Sequence, residues 1–226
     1  MRAIVVSPHP DDETLGAGGT ILKLISQGEE IVWLNVTNMK PEYGYSIQSV
    51  KKRADQIEQV KKATGYSAFY DLGLQPAALD QYMKTDIISK MKDVFDEIRP
   101  ELVFLPSPQD AHSDHRIVYE CALACTKAFR APYVRKILCM DIISETNFSV
   151  EPFNANCYIN ISQFIEKKLN IMAHYQSEFL EPPFPRSKEA CLHRQDTRDP
   201  PVTVSMRNRF KSLRKSSHDK KKYRRK

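Results

Sequence analysis

Hydrophobic and polar positions along the chain switch repeatedly between a strand period and a helix period. Residues 2–7 are a short β-branched run that ends at Pro8-His9-Pro10 and predicts a buried strand. Residues 13–27 then place Leu15, Ile21, Leu22 and Ile25 at helical spacing and stop at Gly28. The strand-turn-helix unit recurs. Residues 30–36 predict a second strand, 46–64 a helix closed by Gly65, and 67–71 a weak third strand. A helix over 85–98 is halted by Pro100, a fourth strand over 101–105 ends at Pro106, and 112–129 predicts another helix. A fifth strand is expected over 136–142 and an amphipathic helix over 162–175, with Ile165, Leu169 and Met172 inward. This alternation implies an α/β, three-layer Rossmann-like domain with a mostly parallel sheet covered on both faces.

Composition narrows the classes. A chain of 226 residues supports one α/β core, and 41% hydrophobic with 27% charged residues excludes both a disordered chain and a membrane bundle. No apolar stretch approaches the ~18 residues of a membrane span. The apolar run after Met1-Arg2 is too short for a secretory signal, so a cytoplasmic location is expected. Five cysteines without a C-x-x-C pair disfavour disulfides and thiolate zinc knuckles, and are expected as buried small hydrophobes. Cys121 and Cys125, four apart on one helical face, are read as core packing rather than ligands. Charge is uneven: residues 1–185 carry 19 basic against 24 acidic side chains, and residues 186–226 carry 15 against 4.

Ligands of open parallel sheets sit beyond the carboxyl ends of the strands. Two polar clusters fall there: Pro8-His9-Pro10-Asp11-Asp12-Glu13 after the first strand and Asp110-Ala111-His112-Ser113-Asp114-His115 after the fourth. They supply nitrogen and oxygen ligands suited to zinc or another divalent metal. His9 and Asp12 can reach one point from the first turn of a helix, and His112 and His115 share a helix face. Three ligands drawn from these four would leave a position for water, as in a catalytic site. A pair of capped helix starts, with Asp11 or Asp12 and Asp110 as caps, accounts for the aspartates but not for three histidines. Gly16-Ala17-Gly18-Gly19-Thr20 fails the dinucleotide pattern because Ile21 stands at the third glycine position, so close helix packing is expected there.

These motifs, with Arg53-Ala54-Asp55, Pro106-x-x-x-Asp110 and Lys168 through His174-Tyr175-Gln176-Ser177, resemble the PIG-L/LmbE-like zinc-dependent N-acetyl-sugar deacetylases over about residues 1–190. The resemblance implies that His9, Asp12 and His115 hold Zn2+ or another divalent ion such as Fe2+. It implies Asp11 as general base and then acid, His112 facing the developing oxyanion, and Asp114 orienting an imidazole. The implied activity is hydrolysis of the acetyl group of an N-acetylated amino sugar or its conjugate. Its partner is a small-molecule substrate, with a homo-oligomer allowed. Another amidase or a hydratase on the same metal scaffold is the alternative. Arg53 either clamps a polar substrate or is a solvated helix charge. Relatives often carry an acidic residue after strand three; this chain has Leu72-Gly73-Leu74-Gln75-Pro76-Ala77-Ala78 instead.

Residues 191–226 depart from the family ending and are expected as a disordered basic tail, poor in large apolar residues. With synonymous codons chosen from Cys191 onward, one shifted frame can read V-F-T-A-K-I-R-G and the other S-T-G-D-C-E-Y-A-E-S-F-Q-V-L-K-K-I-I. Joined, these restore the ending usual in that family, so the tail is read as a frameshift product. Its 11 basic residues from Arg207 to Lys226 would bind phosphate backbones without sequence preference, which makes nucleic acid the rival partner class.

Overall fold

The computed structural model describes residues 1–195 and 207–214. Its elements are β1 (Arg2–Ser7), α1 (Asp12–Ser26), β2 (Glu30–Thr37), α2 (Ile47–Thr64), β3 (Ala68–Leu74), α3 (Lys84–Ile98) and β4 (Leu102–Leu105). They continue with α4 (Ser113–Cys125), β5 (Lys136–Met140), β6 (Cys157–Asn160), α5 (Ile165–Met172), α6 (Lys188–Gln195) and β7 (Arg207–Arg214). The sheet runs β3-β2-β1-β4-β5-β7-β6. Its first five strands are parallel, and β7 pairs antiparallel with both β5 and β6.

Strand alternation explains the three layers. Ala3 and Val5 of β1 join Trp33 of β2 in a core with Leu15, Ile21, Ile57 and Leu169 from α1, α2 and α5. Ile4 and Val6, one residue out of phase, join Val32 and Leu34 in a second core with Ile87, Phe95, Val118 and Cys121 from α3 and α4. Both faces of β1, β2 and β4 are therefore dry, which is why β1 reads as a continuous apolar run, whereas the edge strand β3 is partly exposed. The glycines of α1 serve this packing. A Cβ on Gly19 would lie 2.4 Å from Ile161 Cδ1, and one on Gly16 would lie 2.8 Å from Met140 Cβ. None of the five cysteines is in a disulfide; Cys121, Cys125, Cys139 and Cys191 are buried, and Cys157 is only half-buried.

The expected disorder of residues 191–226 is corrected where the structure describes them. Cys191 to Gln195 complete α6, with Cys191 packed into the first core, and 207–214 form a strand inside the sheet. The physical reason is the backbone of β5, whose outer edge would otherwise leave a row of N–H and C=O groups unpaired. Strand β7 pairs with that edge from Met140↔Phe210 to Ile137↔Arg214 and presents its other edge to β6. The remaining tail positions, 196–206 and 215–226, lie outside the described residues. The helix expected over 112–129 ends at Cys125, and that expected over 162–175 is a short 3-10 turn followed by α5.

Candidate metal centre

Strand order reverses at β1: β2 follows on one side and β4 lies on the other, with Ala3↔Leu102 and Val5↔Phe104 in register. The turns after β1 and β4 are thus neighbours in the crevice where open α/β sheets bind ligands. The Pro8 carbonyl is fixed there by the Thr37 backbone N–H at 3.0 Å and the Thr37 hydroxyl at 2.8 Å.

The two predicted clusters meet at this point. One oxygen of Asp12, Oδ2, lies 3.4 Å from His9 Nδ1 and 3.2 Å from His115 Nε2. The donor atoms of His9, Asp12 and His115 all fall within 4.8 Å of one another. The second nitrogen of each ring is occupied by a carboxylate: His9 Nε2 by Asp114 at 3.1 Å, and His115 Nδ1 by Asp110 at 2.9 Å. Imidazoles held in this way turn their remaining lone pairs toward a metal, so the donor set fits a zinc-class dication. His9, His112 and Asp114 form a second group of suitable spacing. That group is less available, because Asp114 already accepts the backbone N–H groups of Ala77 at 2.7 Å and Leu79 at 3.1 Å. The loop after β3 therefore serves the site through its backbone, where an acidic side chain had been the family expectation.

His112 stands one residue before α4 and caps it: its Nδ1 accepts the Asp114 backbone N–H at 3.1 Å. The proton of a neutral ring is consequently on Nε2. Burial, reinforced by His9 and His115 nearby, lowers this imidazole to about 4, so it is a neutral donor at pH 7. Burial alone would lower His9 and His115 as well. Hydrogen bonds from His9 to Asp114 and Asp12 raise it to about 9, and the Asp12 charge with the Asp110 hydrogen bond raises His115 to about 10. Against its own burial, Asp12 is held well below the usual carboxylate range by the same two imidazoles.

Asp11 adopts φ 137°, ψ −30° at the start of α1 and makes no side-chain cap hydrogen bond. The capping role considered for it is thereby excluded, and the cost of a positive φ on a residue with a Cβ marks a functional turn. Its backbone N–H donates to Glu13 Oε2 at 3.0 Å, and the other oxygen of Glu13 accepts the Tyr175 hydroxyl at 3.0 Å. Its carboxylate is met by Arg186 Nη1 at 2.6 Å. Burial raises Asp11 above the usual carboxylate range, with Arg186 opposing the shift and Asp12 adding to it. Asp110 is not a cap either: it also takes the Thr146 hydroxyl at 2.8 Å. Arg53 is buried, not a solvated helix charge. It donates to the Pro10 carbonyl at 3.0 Å and to Glu178 at 2.8 Å.

The cleft over these groups is lined by His9, Asp11 and His112 together with Asn38, Tyr45 and Arg53. Glu145, Glu178 and Arg186 also line it and were not singled out by the sequence; each reaches the site from a segment with no metal-ligand spacing.

Residues 4–126 match the model of the family described as PIG-L, GlcNAc-PI de-N-acetylase. The chain belongs to this family. A diacetylchitobiose deacetylase of Thermococcus kodakarensis is 24% identical over 197 residues, covering 80% of this chain and 71% of that protein. Among solved structures, a conserved protein from Thermus thermophilus superposes with a TM-score of 0.76 at 24% identity, over 93% of this chain and 94% of the other. A 4-carboxy-2-hydroxymuconate hydratase from Pseudomonas putida superposes with a TM-score of 0.69 at 15% identity, over 94% and 95%. The fold thus carries more than one chemistry, and the site must decide between them. No helix among the described residues is long and apolar enough to cross a membrane.

Proposed function

We propose that this family member is a metal-dependent hydrolase that removes the acetyl group from an N-acetylated amino sugar or its conjugate. The observation that supports it most is the pairing of a three-ligand cluster with an adjacent carboxylate, Asp11, that is outside the cluster and is met by Arg186 at 2.6 Å. His9, Asp12 and His115 would hold Zn2+ or a similar divalent ion, which when bound supplies hydroxide at neutral pH and polarises the amide carbonyl.

The chain's own residues account for the rest. Asp11 accepts the proton of the attacking water as the C–O bond forms, then returns it to the nitrogen as the C–N bond breaks, giving acetate and a free amine. The Nε2–H of His112 faces the oxygen on which negative charge develops, and a neutral donor is effective there. Asp114 and Asp110 orient the imidazoles of His9 and His115 through their second nitrogens. Arg53, which lines the cleft, contacts a substrate hydroxyl beside Glu178.

The hydratase relative supports the alternative reading on the same scaffold, in which no amine leaves. The rival class, nucleic-acid binding through the basic tail, is tested by competition with a defined sequence. We further propose a cytoplasmic location. Metal analysis combined with acetate release from a panel of N-acetylhexosamine derivatives tests the reading. Hydration of an unsaturated acid without acetate release would transfer the assignment to the hydratase.

A further inference from the structure

The turn His9-Pro10-Asp11 is held by two arginines that share one glutamate. Arg53 Nη1 holds the Pro10 carbonyl at 3.0 Å, while its Nη2 lies 2.8 Å from Glu178 Oε1. Arg186 Nη1 holds Asp11 Oδ2 at 2.6 Å and lies 3.5 Å from Glu178 Oε2. The Arg186 guanidinium is fixed in turn by Ser144 Oγ, 2.6 Å from Nε, and by Glu145 Oε1, 3.3 Å from Nη2. Every nitrogen of this guanidinium therefore has an oxygen partner, and three of those partners are carboxylates.

Without this grip Asp11 has an easier place to go. Aspartate at a helix start prefers an extended backbone with its carboxylate accepting an N–H of the first turn. Asp11 instead holds φ 137° and makes no such bond. A strained conformation persists only where its surroundings over-determine it. Local contacts fix its backbone: its N–H donates to Glu13, and its carbonyl accepts the N–H groups of Thr14 and Leu15. The contact to the carboxylate itself comes from Arg186, 175 residues away.

We propose that Arg186 is a positioning residue for the reaction, holding the Asp11 carboxylate in the cleft and away from the cap of α1, with Glu178 coupling it to Arg53. In its kinetic consequence this rests on the deacetylase reading. A fork-shaped guanidinium that meets Ser144, Glu145 and Asp11 at once is not replaced by the single ammonium of lysine. Misplacing one reacting group by about 1 Å can lower the rate about 10²-fold.

The test compares the full-length protein with Arg186→Ala and Arg186→Lys. Both variants should bind metal as the wild type does and lose kcat by about 10²-fold on the best acetylated hexosamine, with KM within about threefold. Guanidinium ion added to Arg186→Ala should restore about tenfold of the loss, which a purely structural defect would not allow. In crystals of Arg186→Ala, Asp11 should turn back to cap α1. Unchanged kcat, or an Asp11 that keeps its conformation in those crystals, overturns the proposal. If the wild type releases no acetate, the deacetylase reading fails, while the Asp11 conformation still decides the role of Arg186. Should Arg186→Ala not fold, the kinetics and crystals of Arg186→Lys carry the same decision.

Discussion

Asp110 Oδ2 lies 2.9 Å from Nδ1 of His115, while Nε2 of the same ring faces Asp12 at 3.2 Å. The two carboxylates thus sit on opposite edges of one buried imidazole. With the proton drawn to Nδ1, the lone pair of Nε2 is turned toward the point shared with His9 and Asp12. Purified protein should accordingly hold about one zinc-class ion per chain. His115→Ala should lose it, and Asp110→Ala should weaken it by about 10–100-fold. Chelator competition with elemental analysis measures both. Full retention in His115→Ala would remove that residue from the ligand set.

Chemistry and metal binding should separate at Asp11 and His112. Asp11→Asn keeps the shape of the side chain but cannot accept the water proton, so metal content should hold while turnover falls by ~10² or more. His112→Ala should likewise keep metal and lose rate. That variant also deletes the cap of α4, worth about 1 kcal/mol, so its melting temperature should fall modestly while that of Asp11→Asn need not. Near-normal turnover in Asp11→Asn would place the base elsewhere.

Stability should respond to pH through Lys168. Its ammonium is buried against the Leu15 carbonyl at 2.7 Å, and its stem packs on Gly18. Burial lowers it to about 8 from 10.5. The unfolded chain therefore binds the extra proton between those values, and stability rises with pH across that window. The cost of the charge is fully present below pH 8 and disappears as pH passes 10.5; it is of the order of 3 kcal/mol. Lys168→Met, which places an apolar chain there, should raise the urea midpoint at pH 7 and converge on the wild type by about pH 10. Parallel midpoint curves for the two proteins would show that Lys168 is not buried as a charge.

What the sequence made legible follows from period. The parallel strands β1, β2, β4 and β5 are apolar on both faces, and α1 to α4 carry clear helical spacing, so their places were readable to within a few residues. His9, Asp12, His112 and His115 were readable because they lie on two short turns at one sheet edge. Glu145, Glu178 and Arg186 were not assigned, and Asp110 was weighed as a helix cap rather than as a partner of His115, because these roles depend on partners brought close only by the fold. Arg186 meets Asp11 across 175 residues, and Thr146 meets Asp110 across 36. Arg53 looked ambiguous as a helix residue and became informative only once its partners, Pro10 and Glu178, were in place. Strand β7 was hidden for another reason: Arg-Asn-Arg-Phe-Lys-Ser-Leu-Arg places its apolar residues three apart, not two, and its pairing comes from the backbone.

That backbone pairing makes a prediction about the tail. A protein ending at Met206 loses β7, which leaves the edge of β5 open and β6 without a partner in the sheet. Exposed edges of this kind template association between chains. The Met206 truncation should therefore melt at a lower temperature and aggregate on concentration. A protein ending at Lys215 keeps the whole strand and should behave as the full chain does. If residues 191–226 arose by frameshift, as we propose, a version carrying the restored family ending should be more stable than either, and resequencing the source gene checks the origin directly. Equal melting temperatures and solubility for the Met206 and Lys215 proteins would show that 207–214 contribute nothing to the sheet in solution. A lower melting temperature for the Met206 protein alone would place the strand, despite its charges, among the elements that hold the fold together.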